Sequence, residues 1–446
     1  MTNGSTLQAS GLILRVERPN SVVLPTHRLL EQLAGIKLEA NRFYQAPHIF
    51  QILFRQAFVF TDNIRRRPLY NFSEQKFNAQ NIDLSNGEQL ALYLFKKKNG
   101  TSGDRKQYDA IEDMFSRLTN RKFDVGFSNL VQSGTNLDIH LVDEWDDIPL
   151  EYSGAGIAEA LFLSTLIASD DGRVILLDEP ALTIHVTMQK ALLSEIRTHM
   201  ENEKQFIVVT HSPTLVDPQA ITKVSYFFMR QGYTHRTAID RKDIDAQELI
   251  RLEQELRKST ESRALLFSRG VVLVEGETEL AALSIWYEKQ FNRSLEGLDI
   301  ALYNVGGDQN FKQLVKFLHL FGIPWVIVCD GKVISYYLRV YEPTNANKSI
   351  IEQLEEAGIS CASGLNKIDF LQLCQELESF GVFTLAKNAC DEIEELPVIK
   401  EHLGEARSRF PKSKVRQGQY IAEHYDCPDE VTTLLQKAIG HLKNVK

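Results

Sequence analysis

The sequence is poor in cysteine, and its few cysteines follow no metal-binding or disulfide pattern. The chain of 446 residues has five of them, none in a CxxC pair and none at the spacing of zinc ligands. We therefore expect reduced thiols and no structural zinc, as in a cytoplasmic protein. The five are Cys329, Cys361, Cys374, Cys390 and Cys427.

Long apolar runs and a secretion signal are also missing. No segment approaches the roughly 18–20 uninterrupted apolar residues that span a bilayer. The first five residues, MTNGS, show no basic and then apolar signal pattern. We therefore expect a cytoplasmic protein that does not associate with membranes.

The chain has no excess of positive charge. Its 59 acidic and 50 basic residues give a net charge of −9, which argues against a surface covered in nucleic-acid contacts but allows a local basic groove. A hydrophobic content of 43% and a charged content of 24% are typical of globular proteins. The length predicts two or three domains, each with its own core.

Two apolar runs that each end in an acidic residue are the most informative feature present. GVVLVEGETE, at 270–279, places Glu275 after the first run, and PWVIVCDGK, at 324–332, places Asp330 after the second. Such runs, bounded by Gly or Pro, are typical of buried parallel strands. Functional groups gather at the carboxyl ends of parallel strands, where two carboxylates can share a Mg²⁺ ion. The sequence therefore predicts a metal site at this edge.

These motifs resemble the TOPRIM fold of topoisomerases, primases and some nucleases. Its hallmark is a glutamate after the first strand and a DxD pair after a later one. Glu275 matches the glutamate, Gly306 and Gly307 match the intervening glycines, and Asp330 matches the first aspartate. Lys332 stands where the second aspartate is expected. The alternative is an ordinary doubly wound α/β domain with acidic strand ends.

A second set of motifs lies upstream. RVILLDEP, at 173–180, is an apolar strand ending in Asp178 and Glu179. In nucleotide-hydrolysing enzymes such an aspartate holds Mg²⁺ and the following glutamate orients the attacking water. QFIVVTHSP, at 205–213, is another buried strand, and it ends in His211, a candidate γ-phosphate contact.

A glycine-rich turn precedes these strands and completes the set. YSGAG, at 152–156, contributes Ser153, Gly154 and Gly156 and leads into a helix predicted over 157–168. A helix that starts at such a turn is a good anion cradle. In this order and spacing, the three motifs resemble the signature turn, Walker B pair and switch histidine of ABC-class ATPase heads, in the branch of the SMC and RecF-like proteins.

The phosphate loop of such a head is missing. No G-x-x-x-x-G-K-[ST] sequence, whose backbone and lysine hold the β- and γ-phosphates, occurs in the chain. A truncated gene product, a wrongly chosen start and a head that no longer hydrolyses ATP are three explanations left open. We do not expect independent ATPase activity.

An ABC-type head followed by a TOPRIM domain is the arrangement of the OLD (overcoming lysogeny defect) nucleases, which resemble this chain over about residues 20–415. The resemblance implies DNA cleavage with two Mg²⁺ or Mn²⁺ ions, assembly into homo-oligomers through the ATPase heads, and regulation by ATP. It also implies a role in anti-phage defence, as in the Gabija nuclease component, or in DNA processing, together with a defence-system partner protein.

The resemblance also implies a role for each matched site residue. Glu275 would be a catalytic metal ligand or the general base, and Asp330 would be the central, catalytic metal ligand. Glu279 would act on the second metal or behind the ligands. Glu394, with Glu392 as the alternative, would help to hold the second metal, and Lys414 would stabilise the transition-state phosphate. For Glu279 and the late acids, the other interpretation is a set of solvated acids at helix starts.

The predicted fold class is α/β. An N-terminally incomplete ABC-ATPase-like head without a phosphate loop is expected at 1–265, a Rossmann-like TOPRIM domain with a parallel sheet at 266–400, and a helical segment at 401–446. Periodicity predicts helices at 104–118 and 241–258 and a strand at 137–142.

Two further functions stay open from the sequence. One is a catalytically impaired DNA-binding or regulatory protein whose TOPRIM block is a scaffold, motivated by the missing phosphate loop and the altered DxD pair. The other, RNA cleavage or primer synthesis, has no specific support in the residues.

Overall fold

The computed structural model divides into two compact units, residues 1–210 and 211–446. The residues it describes are 5–9, 12–16, 58–60, 68–78, 82–127, 135–142, 147–169, 174–201, 204–230, 232–307, 310–330, 367–385 and 397–444. Lys332, Glu392 and Glu394 lie outside the described residues. The domain boundary drawn at 265 from the motifs stays a prediction.

The first unit combines short strands with five α-helices in its described part, one of them a single turn. The strands are β1 (Ser5–Ala9), β2 (Leu12–Val16), β3 (Phe58–Phe60), β4 (Asn71–Phe72), β5 (Lys122–Phe127), β6 (Thr135–Val142), β7 (Ile148–Pro149), β8 (Val174–Asp178) and β9 (Gln205–Val209). The helices longer than one turn are α2 (Leu90–Asn99), α3 (Ser102–Thr119), α4 (Ala155–Ala168) and α5 (Val186–Glu201), preceded by the single turn α1 (Glu74–Phe77).

Strands β3, β8 and β9 form a parallel sheet in that order. Strands β4, β6, β5 and β7 form an antiparallel sheet around β6, and β1 pairs with β2. Helix α4 is buried on nearly every side from Glu159 to Ile167 and packs against α3 and α5. A helix that is apolar all round needs such complete cover, which explains its central place in this unit.

Local signals set the ends of α3, the helix predicted at 104–118. Thr101 and Asp104 form a capping box at its start, which satisfies backbone donors that have no partner within the helix. Asn120 ends the helix in the left-handed conformation, with φ 56°. The observed bounds, 102–119, confirm the prediction, and β6 likewise confirms the strand predicted at 137–142.

The second unit is built on a parallel sheet with helices on both faces. Its strands are β10 (Ser225–Arg230), β11 (Tyr233–Ala238), β12 (Gly270–Val274), β13 (Ile300–Asn304), β14 (Trp325–Val328) and β15 (Val382–Phe383). Its helices are α6 (Ala246–Lys258), α7 (Thr260–Ala264), α8 (Glu277–Phe291), α9 (Phe311–Phe321), α10 (Lys367–Glu378), α11 (Pro397–Arg409), α12 (Lys414–His424) and α13 (Asp429–Asn444).

The sheet order is β13-β12-β14-β15, all parallel. Alternate residues of β12 enter two different cores. Val271 and Leu273 pack with residues of α6 and α9, whereas Val272 and Val274 pack with residues of α8, α12 and α13. Because helices cover both faces of the sheet, every residue of β12 is buried, and its sequence is an unbroken apolar run.

The helix predicted at 241–258 begins later, at Ala246, because Asp245 caps it. The Asp245 carboxylate accepts hydrogen bonds from the backbone N–H groups of Gln247 and Glu248, at 2.8 and 2.9 Å. Among the described residues, no helix is both long and apolar enough to cross a membrane.

Candidate active site at the carboxyl edge of the parallel sheet

Glu275 and Asp330 lie at the ends of neighbouring strands, as the sequence predicts. Val274 at the end of β12 is paired with Val328 at the end of β14. Glu275 is the next residue after Val274, and Asp330 comes two residues after Val328. Both are partly buried. The fold therefore brings the two acids to one edge of the sheet.

The thiol of Cys329, the residue immediately before Asp330, is fully buried at the same edge of the sheet. Burial, together with the negative charges of Asp330 and Glu275, raises the pKa of the Cys329 thiol well above its usual range. Cys329 is therefore a neutral, buried neighbour of the two acids and is unsuited to be a thiolate ligand.

The glycine pair after β13 contacts the backbone of Glu275. Gly306 and Gly307 have φ values of 71° and 122°, a conformation that residues with a side chain rarely adopt. This turn lets the N–H of Gly307 donate to the carbonyl oxygen of Glu275 at 3.2 Å. The side chain of Asn310 holds the turn by donating to Val305 O at 2.8 Å. The sequence-predicted glycines thus fix the backbone beside the first acid.

Glu279 lies in the first turn of α8 and is only 8% exposed. Its Oε2 atom is so close to Gly276 that a β-carbon added there would lie 2.7 Å from it. A glutamate at this third helical position commonly reaches back to the residue that caps the helix. Glu279 is therefore a buried acid beside the residue that caps the helix, and not the solvated acid of the alternative interpretation. Its metal role stays a prediction.

Lys414 is the first residue of α12 and is exposed. The Ser413 hydroxyl caps this helix by accepting from the N–H of Arg416 at 3.3 Å. Helix α12 packs extensively along α8, the helix that begins two residues after Glu275.

The sequence motifs did not point to Thr278 or Gly418, which contact each other where α8 and α12 pack together. An isolated glycine inside a helical pattern was the only signal in the sequence.

The donor set fits a hard divalent cation. Glu275, Glu279 and Asp330 offer only oxygen atoms, which Mg²⁺ prefers, and Mg²⁺ is commonly held by one or two carboxylates and several waters. Within the described ranges, no three His, Cys, Asp or Glu side chains converge into a ready-made metal cluster. Glu275 and Asp330, which follow the paired ends of two neighbouring strands, are the described residues that would hold the ion.

In the first unit, Asp178 is the last residue of β8 and Glu179 follows it. Glu179 has φ 47°, a left-handed conformation that costs energy for a residue with a β-carbon and often marks functional positions. Its N–H donates to Val209 O at the end of β9, at 2.8 Å. The two acids are thus held at a strand end, and their nucleotide-binding role stays a prediction.

The signature-like turn lies at the start of α4, which Gly154 caps. The Ser153 hydroxyl donates to Leu150 O at 2.7 Å. Gly156 packs so closely against the segment after Glu179 that a β-carbon added there would lie 2.7 Å from Thr183 O. The Thr183 hydroxyl in turn donates to the carboxylate of Glu159 on α4. The structure therefore brings the glycine turn and the segment after the acid pair into contact.

His211 is the first residue of the second unit and is exposed. Its ring lies edge-on to the ring of Phe267, with centroids 6.2 Å apart. Its role as a γ-phosphate contact stays a prediction.

Two family models match the chain. Residues 62–216 match the AAA ATPase domain. Residues 266–331 match the TOPRIM domain of overcoming lysogenization defect protein-like proteins. These matches confirm the predicted α/β architecture, in which an ATPase region precedes a TOPRIM domain.

Two curated relatives are similar to part of the chain. An uncharacterized protein of Methanocaldococcus jannaschii is 26% identical over 212 residues, which make up 46% of this chain and 24% of the relative. The Old nuclease of Escherichia phage P2 is 24% identical over 222 residues, 45% of this chain and 37% of the relative. The chain thus spans less than half the length of either relative.

The comparison with solved structures also finds a partial likeness. The C-terminal region of the Xanthomonas campestris pv. campestris OLD protein is 22% identical, with a TM-score of 0.28. The likeness covers 40% of this chain and 94% of that structure.

Proposed function

Because this chain carries an AAA ATPase domain followed by an OLD-like TOPRIM domain, we propose that it is a metal-dependent DNA endonuclease regulated by nucleotide. The observation that carries the proposal is the placement of Glu275 and Asp330 at neighbouring strand ends of the TOPRIM-matched segment. The similarity to a protein named Old nuclease supports the reaction class.

The residues at this edge suit phosphodiester hydrolysis. Glu275 and Asp330 would hold Mg²⁺ or Mn²⁺, which supplies an activated water and neutralises charge on the phosphate oxygens. Glu279 supports the turn at Gly276 and adds negative charge to the same edge. Lys414 offers a cation to the phosphate oxygens, whose charge increases in the transition state. Two ions would need further ligands, for which Glu394 is our candidate.

We assign nucleotide binding and assembly to the first unit. Asp178 and Glu179 are acids at a strand end, and the turn from Ser153 to Gly156 starts a helix whose first N–H groups can face an anion. Two copies joined through this unit would form the homo-oligomer that the OLD-like arrangement implies. Anti-phage defence, with a defence-system partner protein, or DNA processing is the setting that we infer from the same arrangement.

Cleavage of supercoiled plasmid tests the proposal. The purified chain should nick and linearise the plasmid with Mg²⁺ or Mn²⁺ and should stop when EDTA is added. Asp330→Asn and Glu275→Gln should keep the circular dichroism spectrum and lower cleavage roughly 10²–10³-fold, the loss typical of removing one charge-stabilising group. Glu288→Gln, an exposed change later on α8, is the matched control and should cleave as the unmodified chain does.

Two results would contradict the proposal in different ways. Full cleavage by Asp330→Asn would show that the site assignment is wrong. Stoichiometric DNA binding by the unmodified chain, without metal-dependent cutting, would favour the regulatory DNA-binding protein whose TOPRIM domain is a scaffold.

A further inference from the structure

Gly418 is a buried glycine in the middle of helix α12. A glycine in a helix interior destabilises the helix relative to alanine, because it loses more backbone freedom on folding. Such a position therefore needs a reason in the tertiary packing.

The reason is a backbone contact with helix α8. A β-carbon added at Gly418 would lie 2.4 Å from the carbonyl oxygen of Thr278 and 3.2 Å from the β-carbon of Ala281. Real β-carbons essentially never approach a backbone oxygen to 2.4 Å, so any larger residue would force the two helices apart. Gly404 on α11 and Gly440 on α13 differ from Gly418, because an added β-carbon would meet nothing within 4 Å at either position.

On both helices, this contact lies within one turn of a residue that we assign to the candidate site. On α8, Thr278 immediately precedes Glu279 and is three residues from Glu275. On α12, Lys414 lies four residues before Gly418, so the two share one face of the helix, one turn apart. The helix–helix contact therefore sets how far the Lys414 backbone lies from the acids.

The segment that carries Lys414 is held together locally. The Gln417 side chain donates to Phe410 O at 2.7 Å, and the Ser413 hydroxyl caps the helix. Because these bonds join the preceding turn to α12, a displacement at Gly418 would move Lys414 with it.

We propose that Gly418 is a positioning residue for the nuclease reaction, and that its close contact with Thr278 places Lys414 against the phosphate of DNA bound at Glu275 and Asp330. This inference rests on the proposed nuclease function. It adds a residue that acts through Lys414 and touches neither metal nor DNA.

Gly418→Ala in the full chain tests it. Relief of the 2.4 Å contact to an ordinary contact moves α12 by about 1 Å, and a misplacement of that size costs roughly 10²-fold in rate. We expect kcat for plasmid cleavage to fall by about that factor while KM for DNA stays unchanged. Gly404→Ala and Gly440→Ala are the matched controls and should leave both constants unchanged.

The double variant separates positioning from a general loss of structure. If Gly418 acts through Lys414, Gly418→Ala should cost nothing further in a Lys414→Ala background. An equal fall in kcat in both backgrounds would overturn the proposal, as would unchanged cleavage by Gly418→Ala itself. Should Gly418→Ala fail to fold, Ala281→Leu enlarges the other side of the same contact, and it should lower kcat with the same dependence on Lys414.

A structural measurement keeps this inference distinct from the nuclease proposal. Crystal structures of Gly418→Ala and Gly440→Ala should show the Cα atom of Lys414 moved away from that of Glu279 in the first variant alone. An unmoved Lys414 overturns the positioning role whether or not the chain cuts DNA. A displaced Lys414 in Gly418→Ala, together with an unmodified chain that does not cut DNA, supports the positioning geometry and refutes the nuclease function.

Discussion

The contact at Gly156 gives a sharp test of the packing between the signature-like turn and the segment after Asp178 and Glu179. A β-carbon at Gly156 would lie 2.7 Å from Thr183 O, about 0.7 Å inside an ordinary van der Waals contact. The obstacle is a backbone atom, which cannot rotate away as a side chain could. We therefore expect Gly156→Ala to strain the first unit.

The expected loss follows from that overlap. Overpacking of this kind costs about 1–3 kcal/mol of unfolding free energy. For a unit of this size, about 1 kcal/mol lowers Tm by roughly 2–4 °C, so the Tm of the first unit should fall by roughly 2–12 °C. Thermal unfolding followed by circular dichroism measures the fall, and hydrogen exchange of peptides from α4 assigns it to this unit.

Gly154→Ala is the control, because it makes the same chemical change two residues earlier. A β-carbon at Gly154 would meet nothing within 4 Å. Gly154→Ala therefore restricts the unfolded chain as Gly156→Ala does, but it creates no close contact in the folded chain. Its free energy of unfolding should fall by no more than a few tenths to about 1 kcal/mol, because alanine is a poorer helix cap than glycine. Equal Tm values for the two variants would refute the packing that we infer.

Two further predictions concern charged groups of the first unit. Arg117→Ala removes a bidentate pair with Glu195, at 2.6 and 2.9 Å. Because the arginine is half-exposed while the glutamate is nearly buried, chemical denaturation should show a loss of about 1–2 kcal/mol. Arg121→Ala is the control, because Arg121 is exposed, and it should change the free energy of unfolding by less than about 0.5 kcal/mol. An equal loss in both variants would contradict a stabilising role of the Arg117–Glu195 pair. The hydrogen bond from the side chain of Thr101 is the largest cause that lowers the pKa of Asp104, from 3.8 to about 2. Its stabilisation is therefore fully present above about pH 4 and is lost as the pH falls through about 2, so the Tm difference between the unmodified chain and Asp104→Asn should shrink steadily over that interval. A difference at pH 2 as large as that above pH 4 would contradict this.

The acids at the strand ends could be predicted because their signals are local. An apolar run of four or five residues followed by glycine or an acid fixes a strand and its end, and parallel strands share one functional edge. Glu275, Asp330, Asp178 and Glu179 were placed at strand ends on this basis, and the structure puts all four there. Their chemical roles, and that of Lys414, stay predictions.

The sequence by itself also determined several helix ends, since the caps at Thr101, Asp104 and Asp245 lie within a few residues of the bonds they make. Only the tertiary structure decided that Gly418 meets Thr278, that Gly156 meets Thr183, and that α6 packs into the core of the second unit. Thr278 and Gly418 are 140 positions apart in the sequence. No periodicity or short motif links such residues, because their approach depends on how whole helices pack against the sheet. The local sequence therefore determined that the acids follow the strands. The packing of segments far apart in the sequence determined which helices lie against each other beside those acids.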